Sequence, residues 1–266
     1  GSTDGTRDWL KSLGASPPFR VLLNDRNLGY AATNNRAAEC ATGDLLVLLN
    51  NDLVLTPRWL EPMLAALATH PTAGIIGNVQ RTVSTATIDH TGIVVNAKGK
   101  PVHDRALPPF APDVKIVPAV TAACLLIKTS TWRQLGGFDT AFVNGGEDVD
   151  LCLRAARAGL LTAVAQCSVI FHHVSASPGR KRRDEENSHL LAKRWRNELT
   201  QLAHRAWSRD FLQRELNAAV TFQAPVAALH IALHAAGLSR RPPVATLRGT
   251  ADAFDLEFQR WSEVLK

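Results

Sequence analysis

Long apolar runs, paired cysteines and a basic-then-apolar leader are all missing from this chain of 266 residues. A membrane-spanning helix needs roughly 18 or more uninterrupted apolar residues. The nearest approach, Ala218 to Gly237, is broken by Gln223, Pro225, His230 and His234, which excludes a spanning helix there and allows an interfacial amphipathic one. The four cysteines, Cys40, Cys124, Cys152 and Cys167, show neither CxxC nor Cys/His ligand spacing. They read as reduced, buried thiols of a reducing compartment. With no signal-peptide layout at the amino terminus, the expectation is a soluble, cytoplasmic chain.

The basic run Arg180-Lys181-Arg182-Arg183 has no aromatics interleaved for base stacking, which argues against nucleic acid. A solvated loop and a lid closing on a diphosphate both stay open for it. His230 and His234 share a helix face at i, i+4 without a third ligand, so zinc is not expected. What is present is a globular composition, 45% hydrophobic and 20% charged, long enough for one large domain or a domain plus an appendage. Thirty Lys+Arg against 24 Asp+Glu leave a formal charge of +6, which favours anionic partners without choosing among them.

The chain is organised around Leu45-Leu46-Val47-Leu48-Leu49-Asn50-Asn51-Asp52, an apolar run that stops on polar residues. Its length and the flanking Gly43 and Pro57 suit a strand buried on both faces of a parallel sheet. Asp52 would then lie at the carboxyl end of that strand, where open α/β sheets bind ligands, in a good position for a metal or a phosphate-bound metal. A plain Asn/Asp turn fits the same residues.

In chain order, a cap over Gly1 to Thr6 leads into a helix around Arg7 to Leu13. Phe19 to Leu23 reads as a strand, Tyr30 to Thr42 as a helix, and Leu45 opens the next strand, a unit that forces a parallel sheet. Thr56-Pro57 opens a helix through Ala68. Ala73 to Val79 is a further strand, residues 80 to 118 a long excursion suited to substrate loops, and Val117 to Ile127 another buried strand. Ser130 to Leu135 reads as a short helix. Gly136-Gly137-Phe138-Asp139 and Gly145-Gly146 then lead into a helix from Glu147 to about Ala158. Glu147, Asp148 and Asp150 crowd its first turn. One acid suffices for capping; the surplus suggests a site, where a carboxylate at a loop-to-helix junction can act as general base. Val169-Ile170-Phe171 forms a strand ending on His172-His173, of which at most one faces the site. From Asn187 to His204 the pattern is helical, with Trp195 and Trp207 packing against the preceding domain.

Six segments taken together carry a resemblance: Gly1-Ser2-Thr3-Asp4-Gly5-Thr6; Asn27-Leu28-Gly29-Tyr30 with Asn34-Asn35; Asn50-Asn51-Asp52; Gly136-Gly137-Phe138-Asp139; Glu147 through Arg154; and His172-His173 with Ser177. The series resembles the family 2 glycosyltransferases of GT-A fold, particularly bacterial rhamnosyltransferase-like members, over about residues 1 to 200. The resemblance implies an α/β fold with a Rossmann-like, mostly parallel sheet flanked by helices. A glycosyltransferase domain would span residues 1–204, with a helical appendage over 205–266. It also implies that the family's first strand, helix and second strand are missing. Their place would be between the strands at Phe19 and Leu45, so a fragment of a longer polypeptide with impaired donor binding is expected.

Residue by residue, Asn50-Asn51-Asp52 stands at the family's Asp-x-Asp motif, whose last carboxylate, here Asp52, ligates Mg²⁺ or Mn²⁺ on the donor diphosphate. Asp148 matches the catalytic base and Glu147 an acceptor or positioning contact. His172 or His173 matches the metal- or diphosphate-contacting histidine, and Gly29, Asn35 and, more weakly, Asp4 match the nucleotide side. The implied function is inverting, metal-dependent hexosyl transfer from a UDP- or dTDP-linked donor to a saccharide or lipid-linked acceptor in cell-envelope glycan synthesis. Peripheral contact with the inner membrane face is compatible with it; nucleic acid is not a partner. A catalytically inactive binding or scaffolding module is the alternative.

Overall fold

The computed structural model describes residues 1–13, 19–173, 183–217 and 225–266. Ser177, Arg180 to Arg182 and the beginning of the Ala218–Gly237 stretch lie outside the described residues. The elements run α1 (Thr6–Leu13), α2 (Gly29–Glu39), β1 (Leu45–Leu49), β2 (Leu53–Leu55), α3 (Glu61–Thr69), β3 (Ala73–Thr82), β4 (Ile88–His90), β5 (Ile93–Val95), β6 (Pro101–His103) and β7 (Val114–Val117). Then come β8 (Cys124–Lys128), α4 (Thr129–Leu135), α5 (Glu147–Arg157), β9 (Leu161–His172), α6 (Asp184–Arg194), α7 (Arg196–Asn217), α8 (Pro225–Ala235) and α9 (Val244–Val264).

The central sheet follows the order β1-β8-β3-β9-β2, with β4 added on β3 and β7 on β9. It is a mixed sheet flanked by helices. β3 and β9 run parallel over a long register, while β1–β8, β3–β8 and β2–β9 are antiparallel. Alternation across the pleat splits the core in two. Ile75, Leu125, Ile127 and Val164 join Leu151, Trp195 and Trp261 on one face. Ile76, Leu126, Ala163 and Ile170 pack against Met63, Ala66 and Leu67 of α3 on the other.

Several expectations are corrected. β1 is an edge strand antiparallel to β8, with Leu46 and Leu48 buried but Leu45 and Leu49 exposed at 38% and 42%; an apolar run suits either ladder, and the equally apolar β8 supplies the neighbour. Residues 19–23 form no strand. Around them the carbonyls of Leu23 and Asn24 accept side-chain and terminal donors instead of a ladder, from Arg36, Arg7 and the Gly1 amino group. After Asp52 the chain adds β2 before any helix, and Thr56 is spent on a 2.6 Å hydrogen bond from its hydroxyl to the Val169 carbonyl, so α3 starts only at Glu61. The single strand expected over 117–127 is two, β7 and β8, separated by residues 118–123. Cys167 is exposed, beside Asp113, whereas Cys124 and Cys152 are buried.

α7 runs through residue 204, and Phe254 and Trp261 of α9 lie in the same core as Phe138 and Leu151. Among the described residues no helix is long and apolar enough to cross a membrane.

Candidate active site

The end of β1 and the start of α5 converge on residues 121–123, within the link between β7 and β8. From one side β1 runs out at Asn50, whose amide donates to the Ala123 carbonyl at 2.9 Å. From the other side Asp148, in the first turn of α5, accepts the Ala122 amide on Oδ2 at 3.3 Å. The Tyr30 hydroxyl closes the circle by donating to the Ala122 carbonyl at 2.7 Å. Its pKa is raised, first by burial and then by the negative charges of Asp148, Glu147 and Asp52. The fields of all three acids therefore reach one hydroxyl.

Asp52 follows Asn50 in the turn before β2. Its carbonyl accepts the His173 amide at 3.0 Å, and its Oδ1 lies 3.2 Å from His172 Nε2. Pairing of β2 with β9, Leu53 against His172, fixes this approach. Of the two adjacent histidines, alternation along β9 buries His172 against Asp52 and leaves His173 exposed. Asn50 Oδ1 is buried and accepts no hydrogen bond, while the buried Asp52 Oδ1 has the His172 imidazole as its neighbour. Buried polar atoms left without partners are costly, about 1–3 kcal/mol each. A carboxylate paired with an imidazole and, two residues before it, an amide oxygen without a partner are donor types that fit a hard divalent cation, which takes carboxylate and amide oxygens. Among the described residues no group of three or more His, Cys, Asp or Glu converges as a metal cluster.

The three acids of α5 have separate surroundings. The helix begins on Gly146, whose φ of +91° and close approach to the Phe142 ring exclude a side chain. Glu147 is buried and takes the Gly145 amide on Oε2 at 2.7 Å. Asp150 is fully buried, with hydrogen bonds from Arg154 Nε and Arg194 at 2.8 Å and from Trp195 Nε1 at 2.9 Å. Asp148 is half-buried and accepts the amides of Ala122 and Val149.

Asn144, just before this turn, has φ of +57° and receives the Tyr30 amide on Oδ1 at 3.1 Å. Gly29, the first residue of α2, faces that same amide oxygen. The structure thus brings Asn50, Tyr30 and Asp148 onto one segment, with the Asp52–His172 pair just beyond Asn50 and with Gly29 and Glu147 meeting Asn144 and Gly145 on the α5 side. Asn35 stands apart, with its amide nitrogen on the Phe138 carbonyl at 2.8 Å and its oxygen on the Phe138 amide at 2.9 Å. Asp4 is exposed and caps α1 through Thr6, whose hydroxyl holds the Asp4 carboxyl below its usual range. Asn51 is exposed in the turn. Sequence reasoning missed Tyr30 as a member of the site and Asn144 altogether. Tyr30 is the only tyrosine of the chain and directly follows Gly29, a signal that was available.

The mixed sheet flanked by helices has the GT-A class of glycosyltransferase folds as its structural neighbours. In solved structures the same fold occurs in a mannosyltransferase of Pyrobaculum calidifontis in complex with GDP-Man and Mn²⁺, with a TM-score of 0.53 and 21% identity, covering 96% of this chain and 75% of that one. The profile for "Glycosyl transferase family 2" matches residues 1–113. An N-acetylglucosaminyl-diphospho-decaprenol L-rhamnosyltransferase of Mycobacterium tuberculosis is 30% identical over 72% of this chain and 69% of its own length. The O-antigen biosynthesis protein RfbC of Myxococcus xanthus is 34% identical over 60% of this chain and 13% of its own. The chain belongs to the family 2 glycosyltransferases. It spans 24% and 13% of the length of two curated relatives that it matches.

Proposed function

We propose that the chain transfers a sugar, with inversion and with Mg²⁺ or Mn²⁺, from a UDP- or dTDP-linked donor to a saccharide or lipid-linked acceptor in cell-envelope glycan synthesis. The observation that supports this reading is the Asp52–His172 pair next to the buried, unpartnered Asn50 Oδ1, with Asn50 tied through Ala123 and Ala122 to Asp148. In this reading Asp52 and His172 hold the cation, and His173 positions Asp52 through its main chain. A divalent cation bound there would stabilise negative charge on the departing diphosphate without proton transfer.

Asp148 takes the proton of the acceptor hydroxyl as the new bond to the anomeric carbon forms on the face opposite the leaving group. A single displacement of that kind inverts the anomeric centre. A hydroxyl is too weak an acid to attack alone at neutral pH, and a positioned base contributes typically ~10² to 10⁴ in rate. Glu147, held by the Gly145 amide, orders the loop that presents Asp148 and contacts the acceptor. In this reading Gly29, Asn50 and Asn51 serve the donor side, while Asn35, held on the Phe138 main chain, and Asp4, at the start of α1, act only by shaping the fold around it. Named relatives support a glycan or lipid-linked acceptor, since the mycobacterial relative is named for a diphospho-decaprenol substrate. The cytoplasmic membrane face is where such an acceptor would be met.

Transfer and hydrolysis measured across UDP- and dTDP-sugars, with Mn²⁺ and after chelation, test the proposal. Turnover with at least one donor that stops on chelation is expected. Turnover indifferent to chelation removes the metal from the mechanism. Silence across the panel, in protein shown to be folded, favours a binding module.

A further inference from the structure

Between Glu215 and Asp252 the sequence contains no acidic residue, while Arg240, Arg241 and Arg248 fall in that interval. The described part of this interval forms α8, the turn after it and the start of α9. At the turn and the start of α9 apolar side chains stand in solvent: Leu238 is 78% exposed, Val244 73% and Leu247 44%. Arg240, Arg241 and Arg248 are exposed beside them.

The turn is built rather than loose. α8 ends in a Schellman motif, with Leu238 N on the Leu233 carbonyl and Gly237 N on the His234 carbonyl. In that motif the residue at the Leu238 position ordinarily packs back on the helix; here it points outward. His234 Nδ1 lies 3.1 Å from the Ser239 carbonyl, the Ser239 hydroxyl donates to the Arg241 carbonyl, and Pro242-Pro243 leads into α9. α7 clamps both flanks, through Arg209 on the Ala235 carbonyl and through Ser208 on Thr246. Leu238 and Val244 are therefore held away from the core by a fixed turn. Val226 and Leu229 extend the exposed apolar surface along α8.

We infer that the α8–α9 turn is a docking surface for an anionic lipid bilayer, with Leu238, Val244 and Leu247 entering the headgroup boundary and Arg240, Arg241 and Arg248 meeting lipid phosphates. Charge complementarity selects the occupant. Apolar side chains flanked by Arg240, Arg241 and Arg248, in an interval of the chain that holds no acid from residue 216 to 251, suit a negatively charged interface. The inference gives a location to the membrane contact of the proposed function, but it does not need the transfer reaction to be correct.

Co-sedimentation of the full chain with phosphatidylglycerol-containing vesicles and with phosphatidylcholine vesicles tests it, alongside Leu238→Asp/Val244→Asp and Arg240→Glu/Arg241→Glu. All four side chains are exposed, so folding is preserved and is checked by circular dichroism. Binding to the anionic vesicles at least 10-fold tighter than to the neutral ones is expected, and each double variant should lose 10-fold or more. Equal binding to both vesicle types, unchanged binding by both variants, or self-association through the turn without vesicle binding overturns the inference. Donor hydrolysis measured in vesicle-free solution reports separately on the transfer proposal.

Discussion

On the inward side of the first turn of α5, Asp150 has no exposed surface and takes hydrogen bonds from Arg154, Arg194 and Trp195. On the outward side, Asp148, two residues earlier, is half-buried and meets the main-chain amides of Ala122 and Val149. Both are aspartates on one helix, and both gain from its macrodipole. What separates them is the supply of cations. Arg194 is itself shared with Asp139 at 2.7 Å, so the inward side ties α5 to α6 and to the Gly136–Asp139 loop. Among the described residues, no arginine is paired with the Asp148 carboxylate. Residue type at a helix start thus says little about role until the cation partners are known.

The comparison breaks first at Asp150. Removing one member of a buried ion pair is strongly destabilising, and because Arg154 and Arg194 retain 24% and 32% side-chain exposure the lower end applies to Asp150→Ala, about 3 kcal/mol. Thermal unfolding should show Tm lowered by about 6 to 12 °C. An unchanged Tm would remove the structural half of the contrast.

Asp148→Asn comes next. It should leave Tm within about 2 °C and lower transfer by at least ~10². If activity survives, the outward carboxylate is no base.

A smaller effect sits in the sheet. His90 is fully buried and its pKa is lowered well below 6.5, chiefly by burial and then by His103, Lys115 and His172. The unfolded chain binds a proton near pH 6.5 that the folded chain refuses, so the unfolded state gains as pH falls. Stability should therefore decline below about pH 6.5 at up to ~1.4 kcal/mol per pH unit from this group. Denaturant melts of wild type and His90→Gln between pH 7.5 and 5 read it as a shallower acid slope in the variant. Parallel slopes would assign the acid sensitivity elsewhere.

The smallest effect is chemical labelling. Cys124 and Cys152 are buried with thiol pKa pushed up to about 12 by that burial, so an alkylating reagent at pH 8 should modify Cys167 and spare both until the protein unfolds. Mass spectrometry of the labelled chain would expose any error in which face of β9 looks outward.

Much of this was legible in the sequence. The apolar run closed by Asn50-Asn51-Asp52 and the glycine release before Glu147 both mark where strand and helix present polar side chains, because backbone punctuation is local. The family series of motifs depended on nothing else. Strand direction was not local: β1 and β8 are equally apolar, and only tertiary pairing makes their ladder antiparallel. The three-residue β2 exists because β9 offers an edge, and the break at 118–123, which supplies the main-chain partners of Asn50, Tyr30 and Asp148, is marked in the sequence only by Pro118, a residue that central strands avoid. The pairing of Asn35 with Phe138 joins residues 103 apart, beyond the reach of any periodicity.

The central claim is that Asp52 and Asp148 serve one site in different capacities. Calorimetric titration of a nucleotide-sugar donor with Mn²⁺ into wild type, Asp52→Asn and Asp148→Asn, at matched protein concentration, tests it most directly. Donor affinity should fall about 10-fold or more in Asp52→Asn, the range lost when a metal's ligand environment is damaged, and stay within about 3-fold of wild type in Asp148→Asn. Equal losses in both variants, or no loss in Asp52→Asn, would contradict the division of labour.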